Sequence, residues 1–274
     1  MKTKLFLFIT AFFLQFVNAQ MDDKFYFPNK ITHTINLPHE EFSLKVEQDS
    51  ITGVFFKKEN PKATLVFFHG AGGNVTFFQK MVTPFLNANY QVIMIDFRGY
   101  GKSSGIPTHL NIAKDGQQFF NYLKNKKEIK NTKIILYGQS MGSQIATHLA
   151  KENSKDISML ILDGAFTSFT DLACSYKPEA KDMIKKYLVS PYSAKEDIKL
   201  VSVPKILIHS KEDKDIPYLQ GKELLDAATE PKYFLEYSGP HINALIINPN
   251  EILNKVNEFL TKKPTSFLQF SIQK

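Results

Sequence analysis

The sequence predicts an α/β fold, one mostly parallel sheet with helices on both faces, on three observations. Short apolar runs rich in β-branched and aromatic residues recur along the chain, the pattern of strands buried on both sides. Amphipathic segments with helical spacing separate them. Glycine-rich and polar clusters fall at the ends of the runs, where open α/β sheets bind ligands.

The first residues are expected to lie outside that fold. Met1 to Lys4 is basic, Leu5 to Val17 is apolar, and Val17 and Ala19 stand at the −3 and −1 positions of a signal-peptidase site. The apolar run is shorter than the roughly twenty residues of a spanning helix. No cysteine follows it to carry a lipid. Residues 1–19 therefore read as a signal peptide, and the protein as exported, to the periplasm or beyond the cell. An uncleaved anchor and a buried N-terminal helix are the readings beside it.

Residues 20–274 read as a single domain, since no repeat and no Gly/Ser linker divides them. Ile31 to Phe56 lacks a helical stretch and should form antiparallel strands at one edge. Strands follow at Ala63–Phe68, Gln91–Ile95, Lys133–Tyr137, Met159–Leu162, Lys205–Ile208 and Tyr233–Tyr237. Helices are expected over Phe77–Asn87, Leu110–Lys124, Gly142–Glu152, Gly221–Ala228 and Glu251–Leu260.

Composition removes several classes of function. With 43% hydrophobic and 22% charged residues, the chain is neither disordered nor low-complexity. Cys174 is the one cysteine, which excludes an internal disulfide and a zinc site of several thiolates. The net charge is +7, yet every basic residue except Arg98 is lysine. Nucleic-acid readers depend on the planar fork of arginine. The scattered lysines read as solvated faces, and no nucleic-acid partner is expected.

Gly138-Gln139-Ser140-Met141-Gly142 carries the sharpest chemistry. It follows a strand and opens a helix, and it has the G-x-S-x-G form of a nucleophile elbow. Such a turn lifts the serine hydroxyl above the sheet, and a Cβ at either glycine would meet its neighbours. A serine needs a base, an orienting acid and an oxyanion site. Of the histidines after Ser140, His148 lies on the helix leaving the elbow, and His209 precedes every acid in its own loop. His241, in the turn after the last strand, is the expected base. The loop after Ile208 offers Glu212, Asp213 and Asp215 as acids. Asp213 ranks first, Asp215 second, and Asp163 at the end of the preceding strand third.

His69-Gly70-Ala71-Gly72-Gly73-Asn74, then Asp96-Phe97-Arg98-Gly99-Tyr100-Gly101-Lys102-Ser103-Ser104-Gly105, then the elbow, together resemble the α/β-hydrolase superfamily. The branch they resemble is the Bem46-like, serine aminopeptidase-type or esterase/lipase-like one. Asp213 fits that family's H-G-x-x-D-x-x-V-P loop, although Ser210 replaces glycine and Ile216 replaces valine. His241 and Asn243 fit its G-x-H-x-N loop. The resemblance spans about Val54 to Leu260 and implies an α/β-hydrolase fold. It also implies an oxyanion hole made by the backbone N–H groups of Ala71 and Met141. Asp96 and Arg98 read as holding the turn after the fourth strand.

A small lid is expected between the sixth and seventh strands, at about 165–203, with short helices over Ala180–Leu188 and Ala194–Leu200. Phe166, Phe169, Tyr176, Tyr187 and Tyr192 give it aromatic character, of the kind that more often packs a lid than binds ligand. A lid this small implies an open pocket of modest size. The expected activity is hydrolysis of a small acyl substrate, ester or thioester, by a Ser140–His241–Asp213 triad through an acyl-enzyme. A peptidase or amidase on the same triad, or a non-catalytic binding protein, are the alternatives. No phosphate loop, dinucleotide fingerprint or metal spacing occurs, so no cofactor and no metal are expected.

Overall fold

Along each central strand successive side chains enter two different cores. A computed structural model describes residues 22–261, and the expected signal peptide lies outside them. The strands are β1 Glu40–Val46, β2 Asp49–Phe56, β3 Thr64–Phe68, β4 Gln91–Ile95, β5 Ile134–Gln139, β6 Met159–Asp163, β7 Lys205–Ser210 and β8 Lys232–Tyr237. They form one eight-stranded sheet in the order β8-β7-β6-β5-β3-β4-β2-β1. The β2 strand runs antiparallel to both its neighbours, and β3 to β8 pair in parallel. Parallel pairing requires crossovers, and the helices supply them.

Those helices are α1 Val75–Asn87, α2 His109–Lys124, α3 Gly142–Glu152, α4 Phe169–Tyr176, α5 Lys181–Tyr187, α6 Ala194–Asp197, α7 Tyr218–Ala227, α8 Ala244–Ile247 and α9 Pro249–Thr261. Leu65 and Phe67 of β3 pack with Phe85 of α1 and Val256 of α9 on one face. Val66 and Phe68 pack with Phe119 of α2 and Leu149 of α3 on the other. Burial on both faces explains why these strands read as unbroken apolar runs.

Two expectations need correction. The antiparallel pairing expected from Ile31 onward begins only at Glu40; before it the chain runs as an irregular arm, apart from a two-residue bridge of Phe27–Pro28 to Gly72–Gly73. The arm is held by backbone and side-chain hydrogen bonds, and these leave no apolar period in the sequence. The lid contains the expected α5, led in by a 3₁₀ turn at Pro178–Ala180, the expected α6, continued by one at Ile198–Leu200, and α4 besides. Ser168 caps α4 by accepting the N–H of Asp171, a signature the sequence shows at the correct spacing. Among the described residues no helix is long and apolar enough to cross a membrane.

Candidate active site

Ser140 stands between β5 and α3 with φ +50°, a left-handed conformation that a serine adopts only under constraint. Its N–H donates to the carbonyl of Asp163 at 2.8 Å. The elbow glycines are there because of close approach. A Cβ on Gly142 would lie 2.2 Å from the carbonyl oxygen of Phe68, and one on Gly138 would lie 2.6 Å from that of Gly142. No side chain caps α3; the N–H groups of Ser143 and Gln144 bond back to the carbonyls of Ser140 and Met141, and Met141 itself lines the cavity.

His241 lies over the same cavity as Ser140. Its Nδ1–H donates to Oδ2 of Asp213 at 2.6 Å, while its Nε2 is buried with no hydrogen-bond partner. The bond to Asp213 fixes the tautomer and leaves Nε2 as the free base. The other oxygen of Asp213 accepts the N–H groups of Asp215 and Ile216 at 2.9 and 2.8 Å. Burial pushes the Asp213 carboxyl up, but the hydrogen bond and charge of His241 and the Ile216 amide outweigh it and hold it below its ordinary value. Asp213 is therefore held ionised, with three hydrogen bonds shared between its two oxygens.

The remaining candidates fall elsewhere. Asp215 is exposed at the cavity rim, and only its backbone enters the bonding around Asp213. Asp163 accepts from Tyr137 and Gln139 rather than from His241. His148 pairs with Asp197 at 2.8 Å; His209 donates to the carbonyl of Ile216 with its Nε2 3.6 Å from Asp213 Oδ2, beneath the acid and not over the cavity. Arg98 spends its guanidinium on Asp115, Asp49 and Glu47. Asp96 accepts the first amide of α1, from Val75. Both hold the scaffold.

The loop at Ala71 is fixed from two sides. The buried His69 donates from Nδ1 to the carbonyl of Gly70 at 2.7 Å and accepts the N–H of Phe97 at Nε2. That carbonyl shares a peptide plane with the N–H of Ala71, so the imidazole sets the direction in which the N–H points. Burial lowers the His69 imidazole to about 4, so it stays neutral. On the far side the hydroxyl of Tyr100 donates to the Ala71 carbonyl at 2.7 Å and accepts the N–H of Phe27.

Several supporting residues carried no sequence signal of their role. Gly164, with φ +61°, leaves room for the ring of His241; a Cβ there would lie 2.5 Å from it. Ser210, the departure from the family pattern, donates to the carbonyl of Gly239 and accepts the N–H of Glu212. It thereby ties the acid loop to the histidine loop. Tyr237 holds the latter by bonding Pro240 and Asn243.

The cavity measures about 1050 Å³. The expected modest pocket is thus corrected, because α4 and α5 raise its walls. Phe166 and Phe169 line it, with Phe25, Phe27, Met81 and Ile216. Tyr176 is at its edge, Tyr192 is buried behind it against His148, and Tyr187 points to solvent.

Residues 59–189 match the family described as serine aminopeptidase, S33. Protein bem46 of Schizosaccharomyces pombe is 31% identical over 66% of this chain and 63% of its own. The uncharacterized protein YfhR of Escherichia coli K12 is 29% identical over 87% of this chain and 86% of its own. Among solved structures, the esterase Pf2001 of Pyrococcus furiosus superimposes with TM-score 0.69 at 18% identity, over 85% of this chain and 97% of its own. The chain has the α/β-hydrolase fold. Est1E of Butyrivibrio proteoclasticus, solved with ferulic acid, shares the fold with TM-score 0.69 at 15% identity, over 81% of this chain and all of its own. Within that fold the G-x-S-x-G elbow and the turns carrying Asp213 and His241 lie at the carboxyl ends of β5, β7 and β8.

Proposed function

We propose that the protein is an exported serine hydrolase that cleaves an ester or thioester through an acyl-enzyme. The observation that carries this is the pairing of His241 Nδ1 with Asp213, which leaves the buried Nε2 unpartnered over the cavity that Ser140 lines. In the first step Nε2 accepts the hydroxyl proton of Ser140 as its oxygen attacks the acyl carbon. The oxyanion takes the N–H groups of Ala71 and Met141, the first aimed by His69 and the second by the start of α3. The tetrahedral adduct collapses as His241 returns the proton to the leaving oxygen or sulfur. Water, deprotonated by the same Nε2, then releases the acid and restores Ser140.

The lining favours an acyl group over a peptide. A peptide terminus would call for charged anchors inside the cavity, whereas its charged lining residues, Lys24, Lys177 and Asp215, are exposed at the mouth. A fluorophosphonate probe tests the nucleophile. Labelling of the purified protein, abolished in Ser140→Ala, is the expected result, and labelling that persists in the variant would discard the assignment. Nitrophenyl esters should be turned over and aminoacyl-nitroanilides should not. For export, the protein recovered from an exporting host should begin at or near Gln20; an intact Met1 would contradict cleavage.

A further inference from the structure

The apolar character of the cavity continues past its mouth. Phe27, Phe77 and Tyr176 line the cavity and are also open to solvent. The lid helix α5 lies along the same opening, with Ile184 and Leu188 facing inward. On its outer side Met183 and Tyr187, one turn apart, are 61% and 57% exposed, and the following Val189 is 75% exposed. Single exposed apolar side chains are ordinary, whereas a cluster at one opening marks a contact surface. Cations accompany it. At the mouth Lys177 and Lys24, the latter paired with Asp23 at 3.0 Å, stand with Asp215, while α5 and its approach expose Lys181, Lys185 and Lys186 against Glu179 and Asp182, so the excess of cations lies along α5. Apolar side chains between lysines on one exposed helix suit an anionic lipid interface.

We propose that the cavity mouth docks on an anionic lipid surface and that the substrate is an amphiphilic ester drawn from it. This rests on the acyl-hydrolase reading of Ser140 and adds the substrate class. The acyl chain enters the apolar cavity, while the polar head stays at the rim among the lysines. Tyr187 and Met183, which take no part in the cavity wall, then have a reason to be apolar.

Docking is measured with the Ser140→Ala protein, so that it does not depend on turnover. Phosphatidylcholine vesicles with and without one part in three of phosphatidylglycerol are sedimented with it. Binding to the anionic vesicles should be at least about ten-fold tighter, and should weaken several-fold as salt rises from about 0.05 to about 0.5 M. The combined change Met183→Ser, Tyr187→Ser and Val189→Ser should reduce that binding about ten-fold. In the active protein the same change should leave turnover of a soluble butyrate ester within about two-fold, while slowing hydrolysis of a long-chain ester carried in the vesicles. Equal binding to both vesicles, or binding indifferent to the triple change, overturns the proposal. So does a dimer in solution that the triple change dissolves, since the patch would then belong to a second copy. Failure of probe labelling would instead sink the hydrolase reading and leave the vesicle result standing.

Discussion

Asp163 and Asp213 are both buried beside His241, and their surroundings push them in opposite directions. Asp213 has every lone pair it needs to stay charged filled by His241 and two amides. Asp163 has one oxygen bonded by Tyr137 and Gln139 and the other without a partner, and burial raises it to about 6. Asp213→Asn should therefore lower kcat by about 10³–10⁴-fold, by losing the tautomer of His241. Asp215→Asn should cost less than about ten-fold, since its carboxylate plays no part in holding the imidazole. For Asp163 the sign follows from its raised value: its stabilising share is complete below the ordinary 3.8 and is lost as pH rises through about 6. Asp163→Asn should thus gain stability over the parent with rising pH, levelling off above 6 at up to ~3 kcal/mol for a shift of about two units. Urea midpoints at pH 4 and pH 8 measure this, and an identical gain at both would show that Asp163 does not titrate. Ser140, Asp213 and His241 were legible because each sits in a motif with fixed spacing. Gly164, Ser210 and Tyr237 were not, because what they do depends on which loops the sheet brings together.

The N-terminal arm and the Ala71 loop are joined through Tyr100, at the hinge between a β-turn and two backbone groups. Tyr100→Phe removes one partner from the Phe27 amide and one from the Ala71 carbonyl, which stay bonded to each other at 3.2 Å. The expected loss of stability is about 1 kcal/mol. Because the loop also carries the proposed oxyanion donor, the Ala71 N–H, kcat should fall about ten-fold with KM little changed. A variant that loses stability but keeps kcat would separate the arm from the chemistry. The elements of the sheet were readable, since β3 to β7 are buried on both faces and carry no polar interruptions. The arm was not, because Asn74, Tyr100 and the backbone of Gly101 hold it at Asn29 and its neighbours, and hydrogen bonds of that kind impose no hydrophobic pattern. Helix α4 was hidden by brevity, with only the Ser168 cap to announce it.

At the scale of the molecule, Arg98 ties the turn after β4 to α2 and to the β1–β2 turn. It grips Asp115 on α2 with two bonds, at 2.6 and 2.9 Å, and reaches Asp49 and Glu47 at the β1–β2 turn. A lysine cannot reproduce that fork. Arg98→Lys should cost on the order of 3 kcal/mol, because buried carboxylates would be left underpaired, and a lowered midpoint in one cooperative transition would show it. Replacing exposed Lys127 or Lys130 by Gln should shift the midpoint little, since solvent already screens them. The arm also bears on timing. Asp22 and Phe27 leave the ribosome first, yet they bond to His109 and Tyr100, 87 and 73 positions downstream. Closing loops of that length is slow relative to local helix formation. The proposed acid and base arrive later still, at 213 and 241. On those proposed roles a nascent or unfolded chain is chemically silent whatever compartment holds it, and hydrolytic power appears only when the segment that carries them has met the elbow at Ser140.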